Sequence, residues 1–212
     1  MKFLKNLIAS IIMLPAFLLA VPASAEALAG SDYTVINPAQ PTNTGNKIEV
    51  LEFFFYGCSH CFHLHPELAA WEKKMPKDVE LVLVPTVFNP QWEPMAYTYY
   101  ALEALGQLNK LHNDLYDAWN VKQRILTDEA GITDFISKFG VDKKSFSDAY
   151  HSFGVQSKIT RSKQLTQTYR ISGTPTVIVD GKYLINGLQP GDTIRVLREL
   201  IEKARKERTG KR

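Results

Sequence analysis

Cysteine is scarce in this chain, which has only two cysteines among its 212 residues. A framework of several disulfides, which holds many small exported domains together, is therefore excluded. An excess of charge of one sign is also lacking, because 25 basic residues are balanced by 22 acidic ones. This balance argues against a protein that binds nucleic acid or another polyanion. Internal repeats and low-complexity tracts are absent from the sequence as well.

Long hydrophobic runs are lacking except at the N-terminus, where residues 7–21 form an apolar stretch of 15 residues. About 20 such residues are needed to span a bilayer comfortably. Lys2 and Lys5 precede the stretch and small residues at positions 23–25 follow it, which is the pattern of a secretory signal peptide. We predict export and cleavage after Ala25, with an uncleaved N-terminal anchor as the alternative. Cleavage leaves 187 of the 212 residues, enough for one domain with a substantial core.

The two cysteines lie three residues apart, in the sequence Cys58-Ser59-His60-Cys61. A disulfide between them closes a loop of only four residues, and in the chain-entropy model a cross-link stabilises a fold through the length of the loop that it closes. So short a bridge does little for folding. Because disulfides form and persist outside the cytosol, the pair in an exported protein is best explained by disulfide exchange.

Strand and helix patterns alternate in the first part of the mature chain. Residues 48–55 are rich in β-branched and aromatic side chains and predict a strand that is covered on both faces. Apolar residues at helical spacing predict a helix over 59–74. Residues 78–85 predict a second buried strand, and residues 33–36 predict a short edge strand.

From residue 89 to residue 170 the pattern is helical, with interrupting glycines and little strand signal. Helices are predicted over residues 93–105, 109–119, 128–139, 143–153 and 155–169. Strands return at 176–179 and 182–185, joined by Asp180-Gly181, which is a strong signal for a hairpin turn. A last helix is predicted over residues 192–206.

This order of elements predicts a mixed α/β fold. We expect a signal peptide over residues 1–25 and one domain built from residues 26–88 and 171–212. The helical block of residues 89–170 is expected to be a second domain inserted into the first.

The predicted position of the cysteine pair, at the start of a helix, favours its chemistry. Only a thiolate attacks a disulfide, and the free N–H groups and positive dipole end of a helix N-terminus stabilise an anion. Cys58 lies there, and a protonated His60 adds positive charge nearby. Cys61, one turn into the helix, is more enclosed. We therefore predict that Cys58 is the exposed nucleophile with a lowered pKa and that Cys61 is the resolving thiol with a higher pKa.

Cysteine and histidine at short spacing also raise the possibility of a zinc site. The cysteines fall within eight residues together with His60, His63 and His65. A helix places His60 and His63 on one face and turns His65 about 140° further round. We therefore predict no metal site, and we interpret His63 as a partly exposed helix residue.

A second motif, Gly-Thr-Pro-Thr at residues 173–176, leads into a predicted strand, and Pro175 lies 114 residues after Cys61. A strand, a Cys-x-x-Cys helix start and a distant Thr-Pro before a strand resemble the thioredoxin superfamily. The signal peptide, the Cys-x-His-Cys form, the lead-in Leu-Glu-Phe-Phe at residues 51–54 and the long helical block resemble its DsbA family of bacterial periplasmic dithiol oxidases. The resemblance covers essentially the whole mature chain. It implies a thioredoxin-like fold, with a mixed central sheet and an inserted helical domain.

The resemblance implies a role for each residue of the motifs. It implies that Cys58 forms the mixed disulfide, that Cys61 resolves it, and that the charge and dipole of His60 stabilise the thiolate. It implies that Pro175 is a cis-proline beside the active site, which is physically reasonable for an X-Pro bond. It also implies that Thr174, just before it, hydrogen-bonds the substrate backbone as an added strand.

Glu52 is matched by the same resemblance to a buried acid below the cysteines. It implies that this carboxyl group relays protons when Cys61 must become a thiolate. The alternative is a residue at the rim of the strand with its carboxylate in water, although charged residues are rarely buried without a partner or a function. The chain departs from the family at Ser59, where proline is typical, and at His65, where an acidic residue is frequent. His65 either adds positive charge that favours the thiolate or is simply solvated.

The predicted function is therefore the oxidation of exported proteins by dithiol-disulfide exchange through Cys58 and Cys61, without a cofactor. The resemblance implies reduced exported proteins as substrates, a membrane quinone-linked reoxidant of the DsbB type, and a monomer. One alternative is a periplasmic reductase or isomerase, although too few residues precede the first long strand for the dimerisation domain that isomerases usually add. A redox-inert chaperone or binding module is the alternative from another class.

Overall fold

The structure is a computed structural model that describes residues 26–210. The predicted signal peptide and its cleavage after Ala25 lie outside these residues. Within the described range, no helix is long and apolar enough to cross a membrane.

A single five-stranded sheet forms the centre of the described chain, in the order β1-β5-β4-β2-β3. Strand β2 runs parallel to β3, and the pairs β2–β4, β4–β5 and β5–β1 are antiparallel. The sheet is therefore mixed, as predicted. The strands are β1 Thr34–Val35, β2 Ile48–Phe54, β3 Val79–Pro85, β4 Thr176–Val179 and β5 Tyr183–Asn186.

Strand β2 is the most enclosed element, and all seven of its residues are buried. This confirms the prediction of a strand covered on both faces. The register pairs Glu52 with Leu83 of β3 and with Val177 of β4. Glu52 therefore has a neighbouring strand on each side, and it lies two residues before β2 ends.

Seven helices accompany the sheet within residues 26–210. They are α1 Ser59–Glu72, α2 Glu93–Ala104, α3 Leu108–Asn120, α4 Glu129–Ser137, α5 Lys143–Tyr150, α6 Phe153–Thr168 and α7 Pro190–Thr209. Buried side chains of α1 and α7 pack with those of β2, β4 and β5 in one core cluster. Helices α2 to α6 follow β3 in the chain, and most of their buried side chains form a second cluster that includes the end of β2.

The hairpin between β4 and β5 has the turn that its sequence predicts. Asp180 and Gly181 have positive φ angles of 54° and 66°, and the Lys182 N–H donates to the Val179 carbonyl at 3.0 Å. A β-carbon at Gly181 would lie 2.1 Å from the backbone oxygen of Gln40, so glycine is required there. The hairpin prediction is confirmed.

Two helices begin two residues earlier than the periodicity predicts. Helix α6 starts at Phe153, because the Ser152 hydroxyl accepts a hydrogen bond from the Val155 N–H at 3.2 Å and caps the helix. Helix α7 starts at Pro190, where proline is favoured because the first helical N–H has no partner within the helix. The serine cap and the proline at the first helical position are local signals, which the spacing of apolar residues alone does not reveal.

Candidate active site

The cysteine pair lies where the central strand turns into α1. Strand β2 ends at Phe54, and the Cys58 N–H donates to the Phe55 carbonyl at 3.0 Å, which closes a tight turn. Cys58 itself is the N-cap residue, with extended backbone angles, and helix α1 begins at Ser59. Both cysteines are free thiols in the structure. The turn therefore places the Cys58 sulfur at the positive end of the helix dipole.

Hydrogen bonds to the Cys58 sulfur lower its pKa from the ordinary value of 9.0 to about 5. The largest contribution is the hydrogen bond from the Cys61 side chain, and partial burial opposes it. The Thr174 side chain and the backbone N–H groups of Cys61 and His60 lower the pKa further. Cys58 is therefore the group of the pair that ionises first.

Cys61 has the opposite environment. It is fully buried, and burial is the main reason that its pKa lies far above the ordinary range. The hydrogen bond to Cys58 and the charge of Glu52 raise this pKa further. The structure thus has the predicted difference between Cys58, whose pKa is lowered, and Cys61, whose pKa is raised. The catalytic roles of the two thiols stay a prediction.

Thr174 contacts Cys58, although the two residues lie 116 positions apart in the sequence. The Cys58 thiol donates to the Thr174 carbonyl at 3.2 Å, and the Thr174-Pro175 peptide bond is cis. The loop is tied to the start of β4 because the Thr176 hydroxyl donates to the Gly173 carbonyl at 2.8 Å. The structure thus brings the Gly-Thr-Pro-Thr motif directly beside the cysteine pair.

Glu52 is buried, with 2% of its surface exposed, and its Oε1 atom has no hydrogen-bond partner. Burial is the main cause that raises its pKa to about 8, and the charges of Cys58 and Glu72 contribute. The alternative of a rim residue in bulk water is therefore wrong. Glu52 is also one of the residues that line a cleft of about 870 Å³.

The histidines near the cysteines have three different environments. His60 and His63 are exposed and line a groove beside Thr174 and Pro175. His65 is half-buried, and its Nε2 lies 2.6 Å from the Asn113 Oδ1 while its ring stacks on another helix. Of the two alternatives for His65, the one in which it is simply solvated is therefore wrong. Among residues 26–210, no group of three or more His, Cys, Asp or Glu side chains is placed to hold a metal ion.

Helix α3 supplies two contacts to the active-site turn that the sequence did not reveal. Burial lowers the pKa of His112 to about 3, so the imidazole is neutral, and its Nδ1 is hydrogen-bonded to the Tyr56 hydroxyl at 2.7 Å. Asn120 donates from Nδ2 to the carbonyls of Tyr56 and Tyr116, at 2.8 and 2.9 Å. No sequence signal connects residues that lie 56 and 64 positions apart.

Asn120→Ala is expected to lower the free energy of unfolding by about 1–3 kcal/mol, because two partly buried carbonyls each lose a hydrogen bond. Denaturant unfolding measures the effect. Asn109→Ala is the matched control, since Asn109 is exposed on the first turn of the same helix, and a change within about 0.5 kcal/mol is expected for it. Equal effects of the two substitutions would show that the Asn120 hydrogen bonds contribute nothing specific.

Comparison with known proteins agrees with this geometry. The profile of the DSBA-like thioredoxin domain matches residues 77–197, a range that begins after the cysteine pair. The thiol:disulfide interchange protein DsbA of Burkholderia cepacia is 37% identical over 183 residues, which cover 86% of this chain and 85% of that protein. The protein of the same name from Pseudomonas aeruginosa (strain PAO1) is 32% identical over 206 residues, 95% of this chain and 98% of that one.

The three-dimensional comparison gives the same result. The crystal structure of Pseudomonas aeruginosa DsbA superposes with a TM-score of 0.82 at 32% identity, over 86% of this chain and 97% of that chain. DsbA from Xylella fastidiosa superposes with a TM-score of 0.80 at 30% identity, over 85% and 99%. The chain therefore belongs to the DsbA family of thioredoxin-fold proteins.

Proposed function

We propose that this chain is an exported thiol-disulfide oxidase in which Cys58 forms the mixed disulfide with its substrate. By its family the chain is a thiol:disulfide oxidoreductase. One observation above all supports the roles of the two cysteines: the pKa of Cys58 falls to about 5, whereas burial raises that of Cys61. At pH 7 a thiol with this pKa is about 99% thiolate, so Cys58 is the good nucleophile and the good leaving group.

The direction of reaction follows from the same stabilisation. Interactions that favour the Cys58 thiolate exist only in the reduced protein, because the disulfide has no charge on that sulfur. They therefore stabilise the reduced state and make the Cys58–Cys61 disulfide a stronger oxidant. This reasoning supports an oxidase over the reductase or isomerase alternative.

The reaction proceeds by two exchanges that conserve electrons. A substrate thiolate attacks the Cys58 sulfur, a substrate–Cys58 bond forms, the Cys58–Cys61 bond breaks and Cys61 leaves. A second substrate thiolate then attacks the first substrate sulfur, so that the substrate disulfide forms and Cys58 leaves as a thiolate. The substrate is oxidised by two electrons and the cysteine pair is reduced by two.

In this scheme Glu52 donates a proton to Cys61 and later accepts it back. With its pKa raised to about 8, the carboxyl group holds a proton at neutral pH and donates it when Cys61 leaves. On reoxidation, Cys58 attacks the disulfide of the reoxidant, and Glu52 takes the proton from Cys61, which then resolves that mixed disulfide. His60 contributes its backbone N–H to the thiolate, and its imidazole adds positive charge when protonated.

The substrate binds along the loop at Thr174 and Pro175. Because the Thr174 carbonyl lies 3.2 Å from the Cys58 sulfur, an extended segment that pairs with the Thr174 backbone carries its own cysteine to the reacting atom. Substrates are reduced exported proteins, and a membrane quinone-linked protein of the DsbB type restores the disulfide. The protein acts as a monomer in the periplasm after removal of its signal peptide, and the sulfur atoms carry the electrons without a cofactor.

We also propose that the helices between residues 89 and 170 form an inserted domain that meets the domain of residues 26–88 and 171–212 at the active site. The contacts of Asn120 and His112 with Tyr56 support this arrangement, because they join α3 to the turn that precedes Cys58.

Equilibration of the protein with glutathione tests the proposed direction. We expect a reduction potential well above that of thioredoxin, which is about −270 mV, because the reduced state is stabilised at Cys58. Quantifying the reduced and oxidised protein after acid quenching and thiol alkylation gives the value. A potential near that of thioredoxin would support the reductase alternative instead.

A further inference from the structure

A groove of about 690 Å³ lies beside the reacting cysteine. One wall is the exposed face of α1, the floor is the loop of residues 172–176, and the other wall is the segment from β5 into α7. The loop that forms its floor carries the Thr174 carbonyl, which contacts the Cys58 sulfur. A substrate segment in this groove therefore places the residues next to its cysteine against these walls.

The charge of the groove depends on two side chains. Among the described residues that line it, His60 and His63 are the ionisable ones, and the others are neutral polar or apolar. They are three positions apart on α1 and therefore lie on one helix face. An imidazole is either neutral or positively charged, so the side chains that line the groove carry no negative charge.

Two helix N-termini add to this positive character. Helix α1, of 14 residues, begins at Ser59 beside His60, and α7, of 20 residues, begins at Pro190 on the opposite wall. At the start of α1 the backbone N–H groups of His60 and Cys61 already face the Cys58 sulfur, whereas the N-cap residue of α7, Gln189, makes no side-chain capping hydrogen bond. The N–H groups at the start of α7 and the dipoles of both helices therefore favour an anionic group nearby.

The acidic residues near the groove do not line its walls. Asp192, in the first turn of α7, lies 3.5 Å from Arg195, which also pairs with Asp32 and Glu199. Glu67 lies one turn beyond His63 on α1 and is exposed. The Cys58 thiolate is negative only in the reduced protein, so it does not repel a substrate that approaches the disulfide form.

We propose that this groove selects substrate segments that carry a carboxylate next to the reacting cysteine and disfavours segments with a lysine or arginine there. The proposal rests on the proposed function, since it names the class of substrate that the oxidase takes. His63 is a specificity-determining residue in it, because its imidazole faces the flanking positions of the substrate and not the reacting sulfur.

The test uses three dithiol peptides that differ only in the residues on both sides of one cysteine: glutamate, glutamine or lysine. Each is oxidised by the disulfide form of the protein and, separately, by hydroxyethyl disulfide, an uncharged oxidant. For each peptide, the rate with the protein is divided by the rate with hydroxyethyl disulfide. This ratio removes the effect of the flanking charge on the reactivity of the peptide thiol itself. At about pH 6 and low salt we expect the glutamate peptide to react about threefold to tenfold faster than the lysine peptide.

Three further measurements identify the source of the preference. It should shrink in about 1 M salt, where the Debye length is about 3 Å. His63→Glu should invert it, and His63→Gln should weaken it. His151→Gln is the matched control, since His151 is an exposed histidine at the end of α5 and does not line the groove.

Equal normalised rates for the three peptides would overturn the proposal, and so would a preference that His63→Glu leaves unchanged. Failure to oxidise any of the peptides, with the disulfide form verified, would contradict the proposed function instead. The two failures are therefore distinguishable.

Discussion

Replacement of Cys58 by serine is expected to reduce the oxidation of a dithiol peptide to the uncatalysed rate. A serine hydroxyl forms no disulfide, so neither the mixed disulfide nor the resting disulfide can exist. The buried Cys61 cannot substitute, because its burial holds it protonated and away from solvent. Following the thiols of the peptide over time measures the effect.

Cys61→Ser should behave differently from Cys58→Ser, which makes the pair of variants informative. The Cys58 thiolate can still attack a disulfide, but no second thiol displaces the partner. We expect mixed disulfides to accumulate with an added disulfide such as oxidised glutathione, visible as a mass increase that a reductant reverses. Cys58→Ser should show no such adduct. Oxidase activity that survived in Cys58→Ser would support the alternative of a module with incidental cysteines.

Glu52→Gln is expected to stabilise the protein most strongly at neutral and alkaline pH. Because the pKa of Glu52 is raised from 4.5 to about 8, the folded state holds a proton that the unfolded state releases between these values. The contribution of Glu52 to stability therefore falls as the pH rises through this window. At about 1.4 kcal/mol per pH unit, the loss at pH 7 is about 3 kcal/mol.

Glutamine removes this loss, since it stays neutral at every pH. The difference in the free energy of unfolding between Glu52→Gln and the parent should therefore grow by about 3 kcal/mol from acid to neutral pH. Comparing the two reduced proteins largely cancels the contribution of Cys58, which titrates in the same range. A difference that stayed constant with pH would show that the pKa of Glu52 is not raised in the folded protein.

The same variant should slow reoxidation, because Cys61 then has no base to take its proton. Glu49→Gln is the matched control: Glu49 is also buried on β2, and burial raises its pKa, but its Oε2 accepts from the Asn43 N–H at 2.8 Å. We expect Glu49→Gln to leave the rate of reoxidation unchanged. Equal slowing by both variants would contradict a proton relay through Glu52.

The elements that the sequence predicted best are those with local signals. The apolar run of β2, the Asp180-Gly181 turn and the helix start after Cys58 each depend on neighbours within a few positions. Their physical causes are burial on both faces, positive φ angles and the helical spacing of apolar side chains. A short window of sequence contains all the information that such features need.

The contacts that complete the site have no such local cause. The Asn120 hydrogen bonds to Tyr56, and the partnership of His65 with Asn113, depend on how α3 packs against the turn and against α1. The sequence identified His65 as a departure from its family but could not choose between a charged and a solvated side chain. Tertiary packing decides such cases, because the partners lie 48 to 64 positions away.

The central claim is that the start of α1 stabilises the thiolate of Cys58, and titration of the reduced protein tests it most directly. The ultraviolet absorbance of the thiolate, followed against pH with Cys58→Ser as the blank, gives the pKa. A value about 5 is predicted from the hydrogen bonds to the sulfur. A value close to that of free cysteine, about 8.5, would contradict the claim and remove the basis for an oxidising disulfide.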